Sequence, residues 1–231
     1  MSSSMNQSLK GFLKSNTPPL YTLACQFMAF TKGQLRFRGL DAYLRTDDRT
    51  LLEESILPYF ADRPDLLRVL FVGCEWYTKL YKNIFNNKEY WTLDLDPFNA
   101  RYGSKKHIVG TLETLDSYCN ENYFDLIIAN GIVGDGLNTK EAAEVAFQQC
   151  WRCLRPEGIL LLGWNDVPEF RPFCLEEIRS LKQFAPYSFS PFSSARYSTQ
   201  TRLKHVFSFF SKPVKFEQHQ KAEADVVKGI V

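Results

Sequence analysis

The chain predicts an α/β fold built on a doubly wound, mostly parallel sheet, and three observations carry that expectation. Apolar runs of strand length recur through its centre without in/out alternation, as strands covered by helices on both faces require. Segments of helical spacing separate them. The first run, Val69-Leu70-Phe71-Val72-Gly73-Cys74, stops at a glycine, and the next, Tyr90-Trp91-Thr92-Leu93-Asp94, stops at a carboxylate. That order places an acid beside a nucleoside ribose and points to a nucleotide-like cofactor.

Residues 1–17 are polar and end in Thr17-Pro18-Pro19, which reads as a loose leader. Leu20 to Phe30 and Leu51 to Phe60 follow as two helical stretches, and residues 18–65 are read as a helical cap. The strand Arg68 to Val72 then opens the alternation, with a helix near Tyr77 to Phe85 and strands near Tyr90 to Asp94 and His107 to Val109. A fourth strand, Asp125 to Asn130, precedes a long helix from about Thr139 to Leu154, and a fifth strand runs from Gly158 to Trp164. Beyond it, Leu175 to Phe184 reads as a helix. Tyr187 to Phe192 and His205 to Phe210 alternate like two strands, close enough to pair as an antiparallel hairpin at one edge of a seven-stranded sheet. Residues 66–211 form the main domain in this reading, and 212–231 a mobile charged tail.

Composition excludes several classes of protein. At 231 residues and 45% apolar content the chain buries one large core without disulfide or metal staples. Its cysteines (Cys25, Cys74, Cys119, Cys150, Cys153, Cys174) lack a regular framework, and no secretory core follows Met1, so a cytoplasmic, reducing compartment is expected. The apolar stretch from Leu20 to Phe30 is far short of the ~20 residues that span a bilayer. Cys150-Trp151-Arg152-Cys153 has the spacing of a zinc half-site, but it sits in a helix with no second pair to match, so buried thiols and no metal are expected. The aromatic residues of 187–192 and 207–210 suit a packed hairpin rather than a base-stacking surface, and no strong basic stripe accompanies them; nucleic acid is not an expected partner.

Over roughly residues 66 to 211 the chain resembles the class I methyltransferases that use S-adenosylmethionine. The motifs that carry the resemblance are the glycine turn at Gly73, the acid Asp94, Phe124-Asp125 opening the fourth strand, and Leu154-Arg155-Pro156-Glu157-Gly158 leading into an aliphatic fifth strand. The resemblance implies that Gly73 lets the backbone approach the amino-acid end of the cofactor, with Cys74 and Glu75 beside it. It implies that Asp94 accepts hydrogen bonds from both ribose hydroxyls, next to Leu95. Asp96 falls where the family usually has a small polar residue near the adenine. Thr111 and Leu112 fall where the family often has an acid that reads the adenine amino group. The resemblance implies that Asn130 and Gly131 line the gap between sulfonium and methyl acceptor. The chain departs from the pattern after strand one, where Cys74-Glu75-Trp76-Tyr77 replaces further glycines and Phe71 replaces an acid.

The activity so implied is methyl transfer to a small-molecule acceptor, with Asn130 and Asp135 as the catalytic candidates and with His107 and Asp166 as further candidate bases. Two other readings stay open. One is a catalytically silent binding or scaffold domain whose pocket is filled by Trp76 or Glu75. The other is an NAD-dependent oxidoreductase, which would need a Gly-x-Gly-x-x-Gly loop and a fully parallel sheet. The acceptor atom and the oligomeric state are not encoded in any motif.

Overall fold

The computed structural model describes residues 46–214, together with Pro19, Leu23, Ala24, Phe27, Phe30 and Thr31, all six of them helical. The leader 1–17, most of the first cap stretch, and the tail from residue 215 lie outside the described residues.

Asp47–Leu51, Leu52–Ile56 and Leu57–Ala61 run on as one helix, α1, whose middle turn is of π type. Strands β1 (Arg68–Val72), β2 (Glu89–Asp94), β3 (Lys106–Val109), β4 (Phe124–Asn130) and β5 (Leu154–Asn165) are parallel to one another. The short helix α2 (Tyr81–Ile84) precedes β2, and α3 (Lys140–Cys153) joins β4 to β5. Three C-terminal strands follow: β6 (Ala185–Pro186), β7 (Arg196–Ser198) and β8 (His205–Ser211). The sheet order is β3-β2-β1-β4-β5-β8-β6, with β7 also on β8. The chain leaves β1 to one side for β2 and β3 and returns to its other side for β4 and β5. A crevice therefore opens at the C-terminal ends of β1 and β4, where ligands bind in such sheets.

Each sheet face carries its own core. On one side α3 buries Ala143, Ala146, Phe147, Cys150 and Cys153 against Leu70, Ile127 and Leu160. On the other, α1 buries Leu52, Ile56, Leu57 and Phe60 against Phe71, Phe207 and Phe209. Helix α3 starts where Thr139 Oγ1 accepts the Ala142 N–H at 3.2 Å. It ends where the buried Lys212 ammonium donates to the carbonyls of Trp151 and Leu154, each at 2.7 Å. Lys212 thus belongs to the folded domain and not to the tail that the sequence predicts.

The structure corrects three further sequence expectations. The helix expected over Tyr77 to Phe85 is a 3₁₀ turn, Trp76–Thr78, followed by the four residues of α2; Asn83, Asn86 and Asn87 are poor helix formers whose side chains compete for backbone groups. The helix expected over Leu175 to Phe184 is two 3₁₀ turns, Leu175–Glu177 and Leu181–Gln183. Glu144 on α3 explains this, because its carboxylate takes the N–H groups of Arg179 (2.7 Å) and Ser180 (2.8 Å) that a helix would direct to its own carbonyls. The hairpin strand expected at Tyr187 to Phe192 is instead a turn, Ser190–Phe192, containing Pro191 and ending at Ser193 in a left-handed conformation. β8 is where the sequence predicts it, but its partners are β5, β6 and β7, all antiparallel. An antiparallel strand at this position is what the NAD-dependent reading excludes.

Candidate active site

The crevice holds a cleft of about 570 Å³ between α1, the loop after β1, and the ends of β2, β4 and β5. Gly73, Cys74, Glu75, Asp94, Leu95, Asn130 and Asp135 all face it. A side chamber of about 210 Å³ opens beside it, bounded by Thr111, Leu112 and Glu113 and sharing Gly73, Asp94, Leu95 and Asp135 with the main cleft. The cofactor and catalytic candidates from the sequence thus line the cleft or the adjoining chamber; the further candidate bases, His107 and Asp166, are the exception. His107 packs against Thr92 Oγ1 at 2.9 Å, with burial lowering its pKa, and Asp166 pairs with Arg171 (2.7 Å) and Arg196 (3.6 Å).

Gly73 adopts φ +87°, a conformation that strains any residue with a Cβ, so the glycine is dictated by the turn itself. The next amide, of Cys74, points at the carboxylate of Asp94: its N–H donates to Oδ2 at 2.6 Å. Asp94 Oδ1 accepts from the Asp96 N–H (2.8 Å) and the Asn99 amide (3.1 Å). About four lone-pair positions are available on a carboxylate, so one remains, on Oδ2. The loop thus uses most of the acceptor capacity that the resemblance assigns to the ribose hydroxyls. The Cys74 thiol is buried, and that burial, with Asp94 beside it, pushes its pKa up to about 12; it is not a nucleophile.

The bulky loop residues do not fill the cleft. Trp76 turns away to pack with Cys74 and Tyr102, and it meets Tyr77 edge-on at 5.4 Å between ring centres. Tyr77 forms part of the wall, with the Arg49 guanidinium 3.8 Å over its ring. Arg49 also lies 3.7 Å from Glu53, whose Oε1 accepts the Tyr81 hydroxyl at 2.8 Å.

At the far end of the cleft, three side chains from three strand ends meet. His205 Nδ1 is 2.7 Å from Asn165 Oδ1, and its Nε2 is 3.1 Å from Asn130 Oδ1. The ring is 4% exposed. Burial, reinforced by Arg49 and opposed by Asp48, pulls its pKa down to about 4 and keeps it neutral at physiological pH. A neutral imidazole donates through one nitrogen and accepts through the other, so it hydrogen-bonds the carbonyl oxygen of one asparagine and engages the second only where that amide turns its NH2 toward the ring. Gly163 makes the contact possible, because a Cβ there would stand 1.7 Å from Asn130 Oδ1.

Sequence reasoning missed Arg49, Glu113, His205 and Asn165. Glu113 was within reach, being one residue past the Thr111-Leu112 pair where an acid is expected. His205 and Asn165 had no local signal, since β4, β5 and β8 bring them to Asn130 from 75 and 35 residues away in the chain. Among the described lining residues, Asp48, Glu75, Asp94, Asp96 and Asp135 face a single cationic side chain, Arg49, so the cleft carries a negative potential. No group of three metal-ligating side chains occurs among the described residues. No described helix is long and apolar enough to cross a membrane.

No protein-family sequence model and no curated protein matches the chain by sequence. Solved structures do match it in shape. NodS, an N-methyltransferase from Bradyrhizobium japonicum WM9 solved with S-adenosyl-L-homocysteine, has a TM-score of 0.53 at 14% identity, over 77% of this chain and 98% of NodS. A TehB-like SAM-dependent methyltransferase from Corynebacterium glutamicum ATCC 13032 has a TM-score of 0.52 at 17% identity, over 83% and 99% of the two chains. The [4+2]-cyclase SpnF has a TM-score of 0.50 at 15% identity, over 69% and 80%. The glycine turn, the acid-tipped second strand and the antiparallel β8 thus belong to one architecture: the chain has the Rossmann-like fold of the class I S-adenosylmethionine-dependent methyltransferases.

Proposed function

We propose that the protein is an S-adenosylmethionine-dependent methyltransferase acting on a small-molecule acceptor. The observation that carries this reading is the open two-chamber cleft itself: the unusual Cys74-Glu75-Trp76-Tyr77 loop leaves it empty of bulky side chains, against the silent-scaffold alternative. Its residues fit the cofactor. The side chamber suits a nucleobase, with Leu95, 67% exposed at the mouth, and Leu112 as apolar walls and Glu113 as an acceptor for an exocyclic amine. The remaining lone pair of Asp94 takes a ribose hydroxyl. Gly73 gives room for the amino-acid arm, and Arg49 is placed to meet its carboxylate. The acidic lining favours a sulfonium over its neutral thioether product.

When bound, the cofactor supplies an electrophilic methyl group. What the chain contributes is alignment, which is worth up to about 7–11 kcal/mol in an in-line displacement. Asn130, clamped by His205, presents an amide edge to the acceptor side of the cleft. Asp135, which lines both chambers, is the carboxylate we assign to take the proton that the acceptor loses. His205 acts as a positioning residue, since both of its nitrogens face asparagine side chains. NodS acts as an N-methyltransferase on the same fold, which agrees with an amine among the candidate acceptors. The five described cysteines are free thiols, in keeping with a cytoplasmic enzyme.

Calorimetric titration with S-adenosylmethionine and S-adenosylhomocysteine, with NAD as control, tests the proposal. Saturable binding of the first two alone supports it. Folded protein that binds none of the three refutes it and returns the scaffold reading.

A further inference from the structure

The chain has a second cavity, of about 380 Å³, that shares no residue with the cleft. It lies on the α3 face of the sheet beyond β5, and its origin is the local failure of helix formation described above. Glu144 holds residues 175–183 in separate 3₁₀ turns, while Phe189 and Phe192, in the connection between β6 and β7, pack on the opposite face around Phe209. The α3 face of β5 and β8 is left incompletely covered. Its walls are Leu162, Leu175, Leu181, Phe184 and Phe210.

Two polar groups interrupt this apolar lining. The Ser208 side chain, in the middle of β8, lines the cavity. The indole N–H of Trp164, 2% exposed, finds no acceptor among the described residues. A buried donor without an acceptor costs about 1–3 kcal/mol. At the mouth, the Arg196 guanidinium lies 5.3 Å over the Trp164 ring, and Lys182 makes no ion pair among the described residues. Glu176 is the one carboxylate there, and it is engaged by Arg196 at 3.4 Å. Arg196 is shared between Glu176 and Asp166 (3.6 Å), so Lys182 is the rim cation left without an ion pair among the described residues, over an apolar interior.

We propose that this cavity is a second binding site, for a small monocarboxylate with an apolar chain. The chain occupies the leucine and phenylalanine interior and the carboxylate meets Lys182 and Arg196. The volume lies within the range of about 300–1,000 Å³ common for small-ligand sites, and the lining has their usual composition of apolar walls with a few placed polar groups. This assignment does not depend on the reaction carried out in the cleft.

Decanoate, with decanol as the uncharged counterpart, serves as the probe, titrated into the full chain by calorimetry and by the change in tryptophan fluorescence. Saturable decanoate binding is expected. Ala195→Phe, which fills the cavity from the residue preceding β7, should weaken it by about tenfold or more, a loss of about 1.4 kcal/mol per decade. Lys182→Gln, at an exposed position that leaves folding intact, should weaken decanoate several-fold and leave decanol unchanged. The proposal is overturned if decanoate fails to bind the cooperatively folded wild type, or if binding is the same in both variants. Equal loss of decanoate and decanol in Lys182→Gln would overturn the assignment of a carboxylate.

Discussion

Two buried aspartates stand at opposite ends of the parallel sheet and are treated in opposite ways. Asp125, at the start of β4, accepts the N–H groups of Leu67 (2.8 Å) and Arg68 (2.7 Å) on one oxygen and the Arg155 guanidinium (2.6 Å) on the other, with the Arg68 guanidinium at 3.6 Å. Its charge is neutralised and its lone pairs are used. Asp94, at the end of β2, is held by neutral donors alone and keeps a lone pair facing the cleft. Leaving a buried carboxylate without a cation costs free energy, and stability alone does not explain it. The contrast separates an acid that ties strands together from one that fits the ligand-binding role proposed for it.

The largest effect is expected at the closed end. Asp125→Ala strands Arg155 and two backbone N–H groups, and should cost about 3–5 kcal/mol of unfolding free energy in urea titration. A loss below about 1 kcal/mol would break the contrast.

Next comes the acid response of the open end. His205 has a folded pKa of about 4 against an ordinary value of 6.5, so the fold favours its neutral form. The stability this contributes is fully present above the ordinary value and is lost as pH falls from there toward 4. It amounts to about 3 kcal/mol. His205→Gln should remove that part of the slope when unfolding is compared at pH 7 and pH 4, and an unchanged slope would place the titration elsewhere.

Asp94→Ala should weaken S-adenosylmethionine binding by ~1.5–3 kcal/mol, the range for a hydrogen bond to a charged group. Its stability cost should stay below that of Asp125→Ala because no cation is left unpaired. Unchanged affinity would remove Asp94 from the binding site. The smallest effect concerns the acidic lining. Raising salt from 0.05 to about 0.5 M should weaken S-adenosylmethionine several-fold more than S-adenosylhomocysteine, because only the former carries the sulfonium charge. Parallel curves would show that the potential does not discriminate between them.

The sequence was most legible where structure is local. Continuous apolar runs marked β1 to β5, Thr139 marked the start of α3, and the tips Gly73 and Asp94 located the crevice, because strand burial, capping and turn chemistry are read within a few residues. The same reading failed at residues 175–184, whose spacing is helical. It failed there because the decisive groups, the two oxygens of Glu144, lie about 35 residues upstream.

The sequence by itself therefore determined the fold class, the position of the crevice and the acid at its edge. Tertiary structure alone decided that Trp76 packs outward and leaves the cleft open, that Asp94 retains one acceptor position, and that His205 joins Asn130 to Asn165. The physical reason is that these outcomes depend on strand register and on which distant donor reaches a buried acceptor first. Neither is written in the periodicity of a single segment.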